Sequence, residues 1–77
     1  MNKFHNLIEI NPRIMLGKPI LKDTRITVEL IIEKLSSGES INDLLIAHPR
    51  LTKKKIYAAL GYAADLLKSE RIYPIAV

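Results

Sequence analysis

Gly38 and Pro49 cut the stretch from Thr27 to Ser69 into three pieces, and each piece carries the marks of an amphipathic helix. Thr27 is placed to cap the first, with Ile26 before it at the staple position for Ile31. Val28, Ile31, Ile32 and Leu35 then recur at i, i+3, i+4 and i+7, one apolar stripe. Ser36-Ser37-Gly38 ends that helix, since glycine takes up the left-handed C-terminal conformation. Ser40 opens the second helix, with Asp43 three residues on to complete a near capping box at the positive helix end. Ile41, Leu44, Leu45 and His48 repeat the stripe, and Pro49 disfavours helical geometry at His48.

The third helix is the longest. Thr52 is its cap, and Leu51 and Ile56 form a second staple. Ile56, Ala59, Leu60, Ala63, Leu66 and Leu67 are predicted to share its core face; Lys54, Tyr57, Ala58, Gly61, Asp65 and Lys68 share the other. It fades around Lys68 to Ser69, and Pro74 cannot continue it.

Before Thr27 the chain is punctuated. Leu7-Ile8-Glu9-Ile10 reads as a short strand closed by Asn11-Pro12. Gly17-Lys18-Pro19 breaks the chain again, Ile20-Leu21-Lys22 reads as a second strand, and Asp23-Thr24 as a bend. A lone hairpin is marginal in water, so these pieces are expected to pack on the helices or to pair across a dimer. The organisation is thus one domain: an N-terminal segment with short strands (1–26), a three-helix core (27–69) and an apolar tail (70–77). The tail, with Ile72-Tyr73-Pro74-Ile75-Ala76-Val77, is expected to dock on its own core, on a second copy or on another protein, with the first two favoured.

Three such helices must bury their stripes against one another, and a short helix, a tight turn and a longer helix make a helix-turn-helix. The turn is Ala47-His48-Pro49-Arg50-Leu51, with Leu51 as the plug that enters the core. The expected fold class is mainly α. Seventy-seven residues bury only about 60% of the unfolded surface, so association would help stability. With no cysteine, disulfides and thiolate metal sites are excluded, which fits a cytoplasmic protein. No apolar run is long enough to cross a bilayer.

The most informative local feature is Arg50 with Lys53, Lys54 and Lys55: four cations in six residues with no acid among them. Three occupy the first turn of a helix, where the macrodipole is already positive and each cation costs roughly 0.3–1 kcal/mol unscreened. Local conflicts of this kind mark functional sites. A phosphate removes the conflict, because helix N-terminal amides and lysines then point at one anion, and this end of a recognition helix enters the major groove. The competing reading is a solvated lysine cluster. The candidate DNA-contacting residues are Arg50, Thr52, Lys53, Lys54, Lys55, Tyr57 and Ala58, with Lys54, Tyr57 and Ala58 facing the bases. An equally physical reading makes Tyr57, Ala58, Gly61 and Tyr62 a dimer seam. Arg25 is expected to hold a turn carbonyl, and Glu29 and Glu33 to form a solvated acidic face.

Catalysis finds little footing. His5 and His48 lie at no metal-ligand spacing, the three glycines are isolated, and no carboxylate pair is set up for acid–base work. No enzyme activity, cofactor, metal or small-molecule substrate is expected.

Several ordered motifs resemble the bacterial domain-of-unknown-function family 433. They are Asn11-Pro12-Arg13-Ile14, Gly17-Lys18-Pro19-Ile20, Thr24-Arg25-Ile26-Thr27-Val28, Ile41 through Leu45, His48-Pro49-Arg50-Leu51-Thr52, and Ala58-Ala59-Leu60 with Tyr62-Ala63-Ala64. The chain departs from the family pattern at Leu16 and Asp23, where glycine is common, and at Thr27, where proline is frequent. The resemblance implies a homeodomain-like three-helix fold behind a short β-containing segment. It also implies an antitoxin role: binding and silencing a PIN-like ribonuclease toxin and repressing the shared promoter. Two functions are therefore carried forward. In the first, a homodimer reads operator half-sites about 34 Å apart. In the second, the helix-turn-helix is a scaffold and the protein is an interaction module, its apolar tail and N-terminal segment gripping the toxin.

Overall fold

The computed structural model describes residues 5–69. Three helices follow a two-stranded antiparallel sheet: β1 (Ile8–Glu9), β2 (Ile20–Leu21), α1 (Val28–Ser36), α2 (Ile41–Ala47) and α3 (Lys53–Ser69). The expectation of a mainly helical fold with short N-terminal strands is met. The expectations placed on the tail lie outside the described residues.

The helix starts follow from their caps. The Thr27 hydroxyl accepts from the Leu30 amide at 2.9 Å. Ser40 and Asp43 close a full capping box: the Asp43 amide donates to the Ser40 hydroxyl at 3.0 Å, and the Ser40 amide donates to the Asp43 carboxylate at 2.9 Å. Thr52 accepts from the Lys55 amide at 3.1 Å. Each bond satisfies an amide that the first helical turn leaves without a partner. Gly38 terminates α1 at a φ of +100°, open to glycine and costly to any other residue.

The strands pair within the chain, Ile8 with Leu21 and Glu9 with Ile20. On its other side β2 meets the start of α1: the Leu21 amide donates to the Ile26 carbonyl and the Val28 amide to the Pro19 carbonyl, both at 3.0 Å. The bend between is closed by Thr24, whose hydroxyl donates to the Leu21 carbonyl and accepts from the Ile26 amide. Leu21, Val28, Ile31, Leu44, Leu51, Ile56, Ala58 and Ala59 form one buried cluster. Every helix and β2 contribute to it, so the N-terminal segment is part of the core. Helix α3 touches the sheet and both other helices, and sits at the centre of the packing.

Leu16 and Asp23 share a conformation. Leu16 has a φ of +59° and Asp23 of +63°. With Met15 at +50° and Gly17 at +80°, the chain makes one left-handed turn at Met15–Gly17. The turn is closed by the Gly17 amide on the Ile14 carbonyl and the Lys18 amide on the Met15 carbonyl, each at 3.1 Å. Left-handed backbone costs an L-residue roughly 1–2 kcal/mol, and consecutive residues in it are rare.

Candidate nucleic-acid interface

Helices α2 and α3 and the five residues between them form the helix-turn-helix. The His48 amide still donates to the Leu44 carbonyl at 2.9 Å, and the Leu51 amide then donates to the His48 carbonyl at 2.9 Å. Pro49 and Arg50 are thereby held outside while Leu51 is buried, the plug that the sequence predicts. With Leu51 anchored, Thr52 is placed to cap α3, whose first turn contains no acid.

The four cations of the cluster separate into two kinds. Lys53 and Lys54 are exposed, and among the described residues neither enters a salt bridge. Lys55 is half-buried and turns back, its ammonium donating to the Arg50 carbonyl at 3.0 Å. Arg50 itself reaches across to the Asp23 carbonyl, 3.3 Å away, at the long end for a hydrogen bond. These contacts stitch the turn to α3 and to the N-terminal segment while leaving both cationic groups exposed or half-exposed. The sequence held no sign of the Lys55 tether, because it depends on which side of α3 faces the core.

Ala58 requires a correction. Expected to face DNA bases or a dimer seam, it is fully buried, in the same cluster as Ile56 and Ala59. Leu60, expected in the core, is 37% exposed, and Leu66 and Leu67 are more so. The core side of α3 is rotated toward Ala58 and Tyr62, on the side where α3 packs against α1 and the sheet. Tyr62 is half-buried against the core and Gly61 is half-buried too, so of the expected seam only Tyr57 is fully on the surface. Lys54 and Tyr57 do lie on the outer face, beside Lys53 and exposed Thr52.

A cleft of about 730 Å³ lies beside the turn, between it and the N-terminal segment. Arg25 and Arg50 line it, but so do Glu9 and Asp23, so its formal charges cancel and it offers a polyanion no bias. The positive edge is the start of α3. Glu29, expected to be merely solvated, pairs with Lys18 at 2.8 Å; that carboxylate holds the Lys18 ammonium above its ordinary pKa. Among the described residues no helix is long and apolar enough to cross a membrane, and no cluster of His, Asp and Glu is placed to hold a metal ion.

The family model for proteins of unknown function designated DUF433 matches residues 8–63. The chain belongs to the DUF433 family. The match covers both strands, α1, α2 and the helix-turn-helix through the middle of α3, so the DUF433 unit includes the whole buried cluster. The fold is similar to that of a DUF433 member protein from Anabaena variabilis ATCC 29413, whose crystal structure was determined at 2.00 Å resolution. The TM-score is 0.77 at 28% identity; the alignment covers 82% of this chain and 62% of that one. No curated protein matches the chain.

Proposed function

We propose that this DUF433 chain is a DNA-binding, antitoxin-like regulator, not an enzyme, that represses its own promoter and neutralises a PIN-like ribonuclease partner. One observation carries the DNA-binding part. Lys53 and Lys54 stand exposed, outside any salt bridge among the described residues, on an acid-free first helical turn directly after a helix-turn-helix bend. That arrangement is unfavourable for the isolated helix and favourable once a phosphate approaches. Arg50 and Thr52 complete the phosphate-facing edge, Lys55 braces the bend behind them, and Lys54 and Tyr57 are left to meet base edges. A homodimer would supply two such edges at the spacing of successive major grooves. The test is a mobility shift on the DNA upstream of the gene, titrated with salt: wild-type protein shifts that fragment, and Lys53→Ala with Lys54→Ala lowers both affinity and salt slope. Equal binding by the double variant removes the DNA role.

A second reading makes the protein an interaction module with little DNA binding of its own. It is favoured by large apolar side chains left in solvent, Leu16 at 94% and Ile46 at 73% exposure. The partner would be the same ribonuclease, and failure of the wild-type chain to shift any upstream DNA while still binding that partner would favour this reading.

A further inference from the structure

We infer that Leu60, Ala64 and Leu67 of α3 form the seam of an antiparallel homodimer, closed about a two-fold axis beside Ala64. Its use rests on the DNA-binding reading above, which needs two copies at a fixed spacing. The three residues recur at i, i+4 and i+7 and therefore share one helix face. All three are exposed, Leu60 at 37% and Leu67 at 59%, and none belongs to the buried cluster. Tyr57 lies outside the stripe and stays free to meet DNA.

The stripe matches its own reverse. Ala64 stands four residues after Leu60 and three before Leu67. A second α3 laid antiparallel over it therefore sets Leu60 against the partner's Leu67, and the reverse, with the two Ala64 side chains together at the axis. That self-match is what a two-fold interface requires, and small residues at its centre let helix axes approach to about 8–10 Å.

Charge decides the direction. Parallel pairing would set the lysines at 53, 54 and 55 of both copies side by side, whereas antiparallel pairing carries them to opposite ends. Residues 56–64 carry no charge, so Lys68 comes level with an uncharged run of the second copy. Length agrees with the use. Lys54 lies ten residues from Ala64, which is about 15 Å along α3. Two such arms, offset by the interaxial distance, hold the Lys54 positions about 31 Å apart. Half-sites one turn of DNA apart need about 34 Å. Three side chains per copy fall short of the ~800 Å² per partner of a standard interface, so the free dimer is weak and two half-sites on one DNA hold it together.

The experiment is sedimentation of the full chain up to about 1 mM, where so weak an association is still visible. Leu67→Glu puts a carboxylate in the seam and is expected to raise the dissociation constant about 10-fold or more. Its melting temperature at dilution, where both chains are monomers, should stay near that of wild type. The sequence contains no cysteine, so one introduced thiol reports the geometry. Ala64→Cys should oxidise to a covalent dimer, since a disulfide needs Cα atoms within about 7 Å, while Lys53→Cys, far from its copy, should not. A wild type that stays monomeric overturns the inference; a lower melting temperature for Leu67→Glu would then make residues 70–77 of the same chain the cover of this face. Equal cross-linking through Lys53→Cys overturns it too, as does a dimer that Leu67→Glu leaves intact. A dimer with this seam that shifts no upstream DNA defeats the DNA-binding reading and leaves the inference standing.

Discussion

The Lys55 ammonium donates to the Arg50 carbonyl at 3.0 Å, across five residues of the helix-turn-helix. The bond joins the first turn of α3 to the bend that precedes it, so one of three consecutive lysines stabilises the bend while its neighbours face outward. Lys54→Ala is therefore expected to lower the salt slope of DNA binding by about one unit. Lys55→Met, which keeps the stem and removes the tether, should cost melting temperature and change the slope less. Anisotropy titrations at several salt concentrations, with a melt of each variant, check both.

Ala58 makes the rotation of α3 measurable. Ala58 is fully buried, in the same cluster as Leu44, Ile56 and Ala59, and a larger side chain in a well-packed core forces its neighbours to shift. Ala58→Leu is expected to destabilise the fold by about 1–3 kcal/mol in urea unfolding. A base-facing alanine would accept leucine with almost no change in stability, so a neutral result would reverse the assignment of this face.

Thr27 caps α1 from a buried position and also bridges to Ile20 through its backbone. Thr27→Ala removes the acceptor for the Leu30 amide and should cost about 1–2 kcal/mol. For a domain of this size each kcal/mol lowers the midpoint by roughly 4–8 °C. Thr27→Ser, which keeps the hydroxyl, should recover most of the loss.

The capping box of α2 predicts an acid limb. The backbone hydrogen bond from Ser40, then its side-chain bond, hold the Asp43 carboxyl below its usual value of 3.8. A depressed carboxylate contributes stability that is complete above the unfolded-state pKa and is lost as pH falls through the lower folded-state pKa. The melting-temperature gap between wild type and Asp43→Ala should thus stay constant from neutrality down to about pH 5 and narrow below about pH 4. A gap independent of pH throughout would show that the ionised form is not what caps the helix.

Much of the candidate site was legible in advance because helix signals are local. Thr27, Ser40 and Thr52 cap in the structure as their neighbours imply, and Leu51 enters the core from the staple position just before the Thr52 cap. The cluster of Arg50, Lys53, Lys54 and Lys55 was visible as a run of like charge. Its division into tethered and outward cations was not, because that division depends on how α3 is rotated.

Local chemistry alone determined three helices, their caps and the bend between the last two, since capping and i, i+4 spacing act within a single turn. Tertiary packing decided the rest. Helix α3 is apolar over so wide an arc that its own pattern admits several core faces, and contact with α1 and the sheet selected Ala58 over Leu60. The left-handed backbone at Met15 and Leu16 was likewise hidden, because closure of the N-terminal turn imposes a conformation that the side chains themselves disfavour.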